Sequence, residues 1–70
     1  MKFEDNSIVK HSDGTFIKVL HYYGDVMVGS GRHTRPVDAF LDRQLPLTTY
    51  EVEEQKDLVL VNEFGYEVNP

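Results

Sequence analysis

Residues 7–29, SIVKHSDGTFIKVLHYYGDVMVG, decide the fold of this chain. Three apolar-rich runs are joined there by Asp13-Gly14 and Gly24-Asp25, and such pairs between β-prone runs signal tight hairpin turns because both residue types tolerate positive φ. The stretch therefore reads as a three-stranded meander. With Asp13-Gly14 as a two-residue loop, Ile8 pairs with Val19 and Lys10 with Ile17. Through Gly24-Asp25, Tyr23 falls opposite Val26 and His21 opposite Val28. One face then collects Ile8, Ile17, Val19, Tyr23, Val26 and Val28 as core. The other carries Val9, His11, Phe16, Lys18, Leu20, Tyr22 and Met27, which is too apolar for ordinary solvated surface.

Two readings of that second face stand side by side. A chain of 70 residues buries only roughly 60% of its unfolded surface and uses nearly every large apolar residue to fold, which favours core packing under a helix or the C-terminal strands. Alternatively, Phe16, Tyr22, His11 and Lys18 stay exposed as an aromatic-basic platform on which nucleic-acid bases stack.

Beyond the meander, Gly29–Pro36 (GSGRHTRP) is irregular and leads into a short helix. Pro36 suits a first helical turn, Thr34 a cap, and Asp38 the positive end of the dipole. Val37, Phe40, Leu41 and Leu45 recur at helical spacing as the side expected to be buried, and Pro46 ends the element. Residues 47–54 alternate as in a half-buried strand, although Thr48 and Glu51 also fit a helical capping box. The strand is preferred. Residues 58–61, LVLV, are apolar on both faces and read as a central or closing strand, with a bend at Phe64-Gly65-Tyr66 before Val68.

The expected architecture is a mainly β, α+β small domain over residues 1–70: a five-stranded small barrel or curled antiparallel sheet with one short helix between the third and fourth strands. This element order resembles that of an oligonucleotide/oligosaccharide-binding (OB-like) fold, and the short strands are similar to those of SH3-like barrels of the Tudor or KOW kind. The resemblance is one of element order, with no family motif matched.

Composition narrows the function. No cysteine is present, so disulfides, thiolate metal sites and cysteine nucleophiles are excluded. No apolar run approaches the ~20 residues of a membrane span, and the start lacks the basic-then-apolar order of a signal peptide, so a cytoplasmic location is expected. Six acids and six bases cancel over residues 1–50. The net charge of −5 comes from the rest, where Glu51, Glu53, Glu54, Asp57, Glu63 and Glu67 face Lys56 alone. Such asymmetry suits a cationic partner.

The leading expectation is accordingly a small non-enzymatic binding module, a regulator or inhibitor, that contacts a basic partner protein through Tyr50, Glu51, Glu53, Glu54, Asp57, Glu63 and Tyr66. On a strand, Glu51 and Glu53 would stand roughly 6.8 Å apart, comparable to backbone phosphates. A second expectation is nucleic-acid or anion binding by Phe16, Lys18, Tyr22, Arg32, His33 and Arg35, with glycines and a helix start in the GSGRHTR loop. A third is a structural subunit, monomer or homodimer, using the second apolar face. His11, His21 and His33 lack the convergent spacing of a metal site, and no cofactor is expected. His11-Ser12-Asp13 has the residue types of a hydrolase triad in a tripeptide, where strand alternation separates them.

Overall fold

The chain forms five strands, Ile8–Lys10 (β1), Phe16–Tyr23 (β2), Val26–Gly29 (β3), Thr48–Tyr50 (β4) and Val59–Val61 (β5), with helices Pro36–Phe40 (α1) and Val52–Gln55 (α2), in a computed structural model that describes residues 2–43 and 47–68. All pairings are antiparallel, in one sheet of order β4-β3-β2-β1-β5. The mainly β reading holds, with a second helix added.

The first hairpin departs from the expected register by one residue. Ile8 pairs with Lys18, Val9 with Ile17 and Lys10 with Phe16. The cause is the turn. His11 N–H donates to the Thr15 carbonyl at 2.7 Å and Gly14 N–H to the His11 carbonyl at 2.9 Å, so the loop holds three residues, with Gly14 at φ 91° as its left-handed member. A shift of one residue exchanges the faces of β1. Val9 takes the inner face with Ile17 and Val19, and Ile8 the outer.

The second hairpin pairs as expected, His21 with Val28 and Tyr23 with Val26, but the ladder slips between Val19 and His21. Leu20 is the extra residue of a bulge, so side-chain alternation reverses there. Tyr22, Met27 and Tyr50 thereby share one rung and join the inner core with Val9, Ile17, Val19, Leu58 and Leu60. Tyr23, placed on the core face by simple alternation, is 73% exposed, its ring in edge contact with His21 at 5.0 Å.

Both faces of the β1-β2-β5 region are covered. On the outer face Ile8, Phe16 and Val61 pack with Ala39 of α1. Phe16 is 7% exposed, which agrees with core packing under a helix. The expected apolar stripe of that helix is nevertheless outward: Val37, Phe40 and Leu41 are exposed and Ala39 alone is buried. A small side chain lets the backbone of α1 approach the sheet, and the i, i+3, i+4 trio then points away. Arg35 rather than Thr34 stands at the N-cap, without a side-chain cap bond. Leu45 and Pro46 lie outside the described residues.

Strand pairing stops at Tyr50, and residues 52–55 turn into α2, so the strand reading of 47–54 is correct only for its first half. The capping pair is one turn later than the Thr48/Glu51 alternative. Glu54 accepts from the Glu51 backbone N–H at 3.0 Å. Leu58 and Leu60 point inward and Val61 outward, as a run apolar on both faces requires. The strand is terminal in the sheet order, and its outer edge is met by the tail, through a Val61–Glu67 bridge and a Val68 N–H bond to Leu60 at 3.0 Å.

The end of β3 is tied by Ser30, which is 2% exposed. Its hydroxyl accepts from Lys18 N–H at 2.9 Å and donates to the Gly31 carbonyl at 2.8 Å. The Ser30 carbonyl accepts from the buried Tyr50 hydroxyl at 2.8 Å. Ser30→Ala leaves a buried donor unpaired, and an expected loss of about 1–3 kcal/mol follows. Urea unfolding of Ser30→Ala should show a lower midpoint at unchanged slope, with Tyr50→Phe losing about 1 kcal/mol.

Candidate functional site

The acidic segment is organised by α2 rather than by a strand. Gln55 Nε2 donates to the Tyr50 carbonyl at 2.7 Å and to the Asp25 carbonyl at 2.8 Å, which binds the helical turn to the β2–β3 hairpin. Glu51 stands at its N-cap and Glu53 and Glu54 in its first turn, all exposed. The strand-spaced row of carboxylates is thus replaced by a fan. Asp57, Glu63 and Glu67 are also exposed. Among the described residues, Glu53, bonded to Lys56 at 3.0 Å, is the one C-terminal carboxylate with an ion-pair partner.

A separate exposed acidic feature is the turn after β5. Asn62 Oδ1 accepts from the backbone N–H groups of Phe64 at 2.9 Å and Tyr66 at 3.0 Å. The Asn62 backbone closes the same turn, its N–H donating to the Tyr66 carbonyl at 2.8 Å and its carbonyl accepting from Gly65 N–H at 2.9 Å. Gly65 has φ 87°, and a Cβ there would lie 3.2 Å from Phe16 Cζ and from Pro36 Cγ. The turn is therefore pressed onto the outer core at a position only glycine fits.

Phe64 and Tyr66 stand on either side of that anchor, 72% and 71% exposed. Glu63 and Glu67 flank them. Two exposed aromatics on a hydrogen-bonded turn lose little entropy on binding, which is the usual chemistry of an interface anchor. Sequence reasoning selected Tyr66 and Glu63 but passed over Phe64. The signal was Asn62 three residues before Gly65, the side-chain-capped turn spacing that leaves the residue between facing outward.

Tyr50 is elsewhere. It is buried in the inner core, its hydroxyl held by Ser30, and burial pushes its pKa up. It does not share a surface with Tyr66.

The aromatic-basic set is scattered. Phe16 is buried, and Tyr22 is half-buried with its hydroxyl accepting from Phe3 N–H at 3.1 Å and Lys2 Nζ 5.5 Å from its ring centre. Lys18 Nζ reaches the Asp42 carbonyl at 3.5 Å. In the GSGRHTR loop each basic group holds a carboxylate: Arg32 bonds Asp13 at 2.9 Å, His33 bonds Asp42, and Arg35 grips Asp38 with two bonds of 2.9 and 3.0 Å. The Arg35 guanidinium in turn lowers the Asp38 pKa.

Ser12 and Asp13 both approach Nδ1 of His11, whereas a proton relay needs them at opposite ring nitrogens. Among the described residues no three His, Asp or Glu side chains are grouped to hold a metal ion, and no helix is long and apolar enough to cross a membrane. No family model, curated protein or solved structure matches this chain.

The strongest local electrostatic effect lies in the first hairpin loop. The Asp13 carboxyl is held down at about 2 from 3.8, chiefly by the Thr15 hydroxyl and then by the Thr15 N–H at 2.9 Å, with His11 and Arg32 adding attraction. A depressed carboxylate pKa stabilises the fold fully above the unfolded value of 3.8, and that stabilisation is lost as the pH falls to about 2. Thr15→Ala should move the Asp13 titration, followed by carboxyl carbon NMR, upward from about 2 toward 3.8. Its destabilisation relative to the parent should be present at neutral pH and shrink as the pH is lowered through that window.

Proposed function

We propose that this chain is a non-enzymatic binding module of SH3-like barrel type that contacts a basic partner protein through its acidic C-terminal surface. A meander continued through β4, with β5 returning past a helical turn to pair with β1, supports the SH3-like over the OB-like likeness.

The observation that carries the functional reading is the turn Glu63–Glu67. It joins two exposed aromatics, held by Asn62, to carboxylates without ion-pair partners among the described residues. Aromatic anchors supply affinity, and surrounding unpaired charge supplies steering and specificity. Asp57, which lines a groove together with Tyr66 and Glu67, extends the same charge. The nucleic-acid reading draws less support, because Phe16 is buried and Arg32 and Arg35 are each engaged by an aspartate.

The test is capture from a nuclease-treated lysate of the source cells on the immobilised chain, with salt elution. Proteins held by the parent are expected to be lost from a variant carrying Phe64→Ser, Tyr66→Ser, Glu63→Gln and Glu67→Gln, whose substituted side chains are exposed. Truncating such anchors costs about 2 kcal/mol or more, roughly thirtyfold in affinity. Equal retention of the same proteins by parent and variant would refute the reading.

A further inference from the structure

The two outer edges of the sheet differ. The tail pairs with that of β5, whereas no strand or tail pairs with that of β4 among the described residues. Which backbone groups this open edge presents follows from the hairpin before it. A two-residue loop, here Gly24-Asp25 with Gly24 at φ 59°, closes on a hydrogen-bonded pair, Tyr23 with Val26. Val26 and Val28 therefore turn their N–H and C=O groups to β2, and the Ser30 N–H bond to the Lys18 carbonyl at 2.9 Å continues that series. Met27 and Gly29 turn theirs to β4, where the register sets Tyr50 and Thr48 opposite them. Thr49, opposite Val28, is left with its N–H and C=O directed outward, and both threonines are exposed.

We propose that this edge takes an extended segment of a partner protein as an added antiparallel strand, paired through Thr49 and carrying a lysine or arginine opposite Glu51. A donor and an acceptor turned outward on the same residue are met together by one residue of an antiparallel strand, which exchanges both bonds with it. The residues of β4 include none of the lysines, prolines or bulges that keep edges apart, and its two threonines are strand formers. Charge selects the basic residue. Glu51 is still extended, at φ −72° and ψ 164°, and two residues from Thr49 it stands on the same face. It is exposed and has no ion-pair partner among the described residues. Its own N–H is taken by the Glu54 carboxylate and its carbonyl by Gln55 N–H, so backbone pairing stops at Thr49 and Glu51 contributes charge alone. A second copy of this chain is a poorer occupant. Pairing through Thr49 of each copy sets Glu51 opposite Leu47 rather than a cation, and both copies carry a net charge of −5. The edge is separate from the Glu63–Glu67 turn, and the inference stands on backbone geometry rather than on that surface.

The experiment is a titration of the isotope-labelled full chain, followed by amide NMR, with the acetylated and amidated peptide Lys-Thr-Val-Thr-Val. Its central valine falls opposite Thr49 and its lysine opposite Glu51. Saturating shifts centred on Thr48, Thr49 and Glu51 are expected, with slower hydrogen exchange of the Thr49 amide. N-methylation of the central valine removes the donor that meets the Thr49 carbonyl and should weaken binding about fivefold or more. Glutamate in place of the lysine should weaken it about threefold or more. Thr49→Pro removes an N–H that the β3 ladder does not use, so the shifts should vanish while the urea midpoint stays near that of the parent. If that variant fails to fold, the two altered peptides decide the matter on the parent chain. Binding of either altered peptide as tight as that of the original, or shifts centred elsewhere, would overturn the proposal. Dilution-dependent shifts at Thr49 without peptide would give the edge to a second copy and overturn it as well. Thr49 lies outside the substitutions of the capture test, so each result stands without the other.

Discussion

One extra residue in a strand sets which side chains of this domain reach its inner core. Leu20 lies where the β2 ladder slips, and the strand pairs β1 with its first half and β3 with its second. A bulge bends and twists the strand that carries it. It also reverses side-chain alternation, which sets Ile17 and Val19 on the same inner side as Tyr22. Without that reversal Tyr22, Met27 and Tyr50 would leave the core together. Ser30 makes the bend tolerable, because its hydroxyl meets Lys18 N–H and its carbonyl is satisfied by Tyr50.

The five-stranded sheet is small, and its outer face is covered by short pieces. Ala39 brings α1 close over Phe16 and Ile8, and Gly65 brings the C-terminal turn onto Phe16 from the other side. Each piece makes contact through a residue with little or no side chain, so the large apolar residues beside it point outward. Val37, Phe40 and Leu41 are exposed beside Ala39 for the same reason that Phe64 and Tyr66 are exposed beside Gly65. The Phe64–Tyr66 pair is distinguished by its setting, a turn fixed by four hydrogen bonds and bordered by carboxylates. Under the proposed function the aromatic side chains of that turn would act as anchors and the bordering carboxylates would supply steering.

Several expectations were legible from local chemistry and several were not. The Gly24-Asp25 turn predicted the pairing of Tyr23 with Val26 correctly, because a two-residue loop fixes its own register. Asp13-Gly14 misled by one residue. A three-residue loop with glycine in the left-handed position presents the same dipeptide, and the choice was made by the Thr15 carbonyl meeting His11 N–H. The capping chemistry of residues 48–54 was present in the sequence as a competing pattern, and Glu54 rather than Glu51 closed it. The apolar stripe of α1 read as buried because periodicity marks a face without saying which way it turns.

The sequence by itself determined the antiparallel meander, the helix after Pro36, the two-faced apolar strand near residue 60 and the concentration of negative charge beyond residue 50. Those features depend on residues near one another in the chain, through turn propensity, periodicity and composition. Tertiary structure decided which faces are inner, that Tyr50 is core while Tyr66 is surface, and that Asn62 and Gly65 build a rigid aromatic turn against Phe16. Each of those outcomes rests on a meeting between distant segments: a bulge matched to Ser30, a helix seated on Ala39, a tail paired with β5. Local preference does not specify such meetings, because several registers satisfy it nearly equally and only shared packing chooses among them.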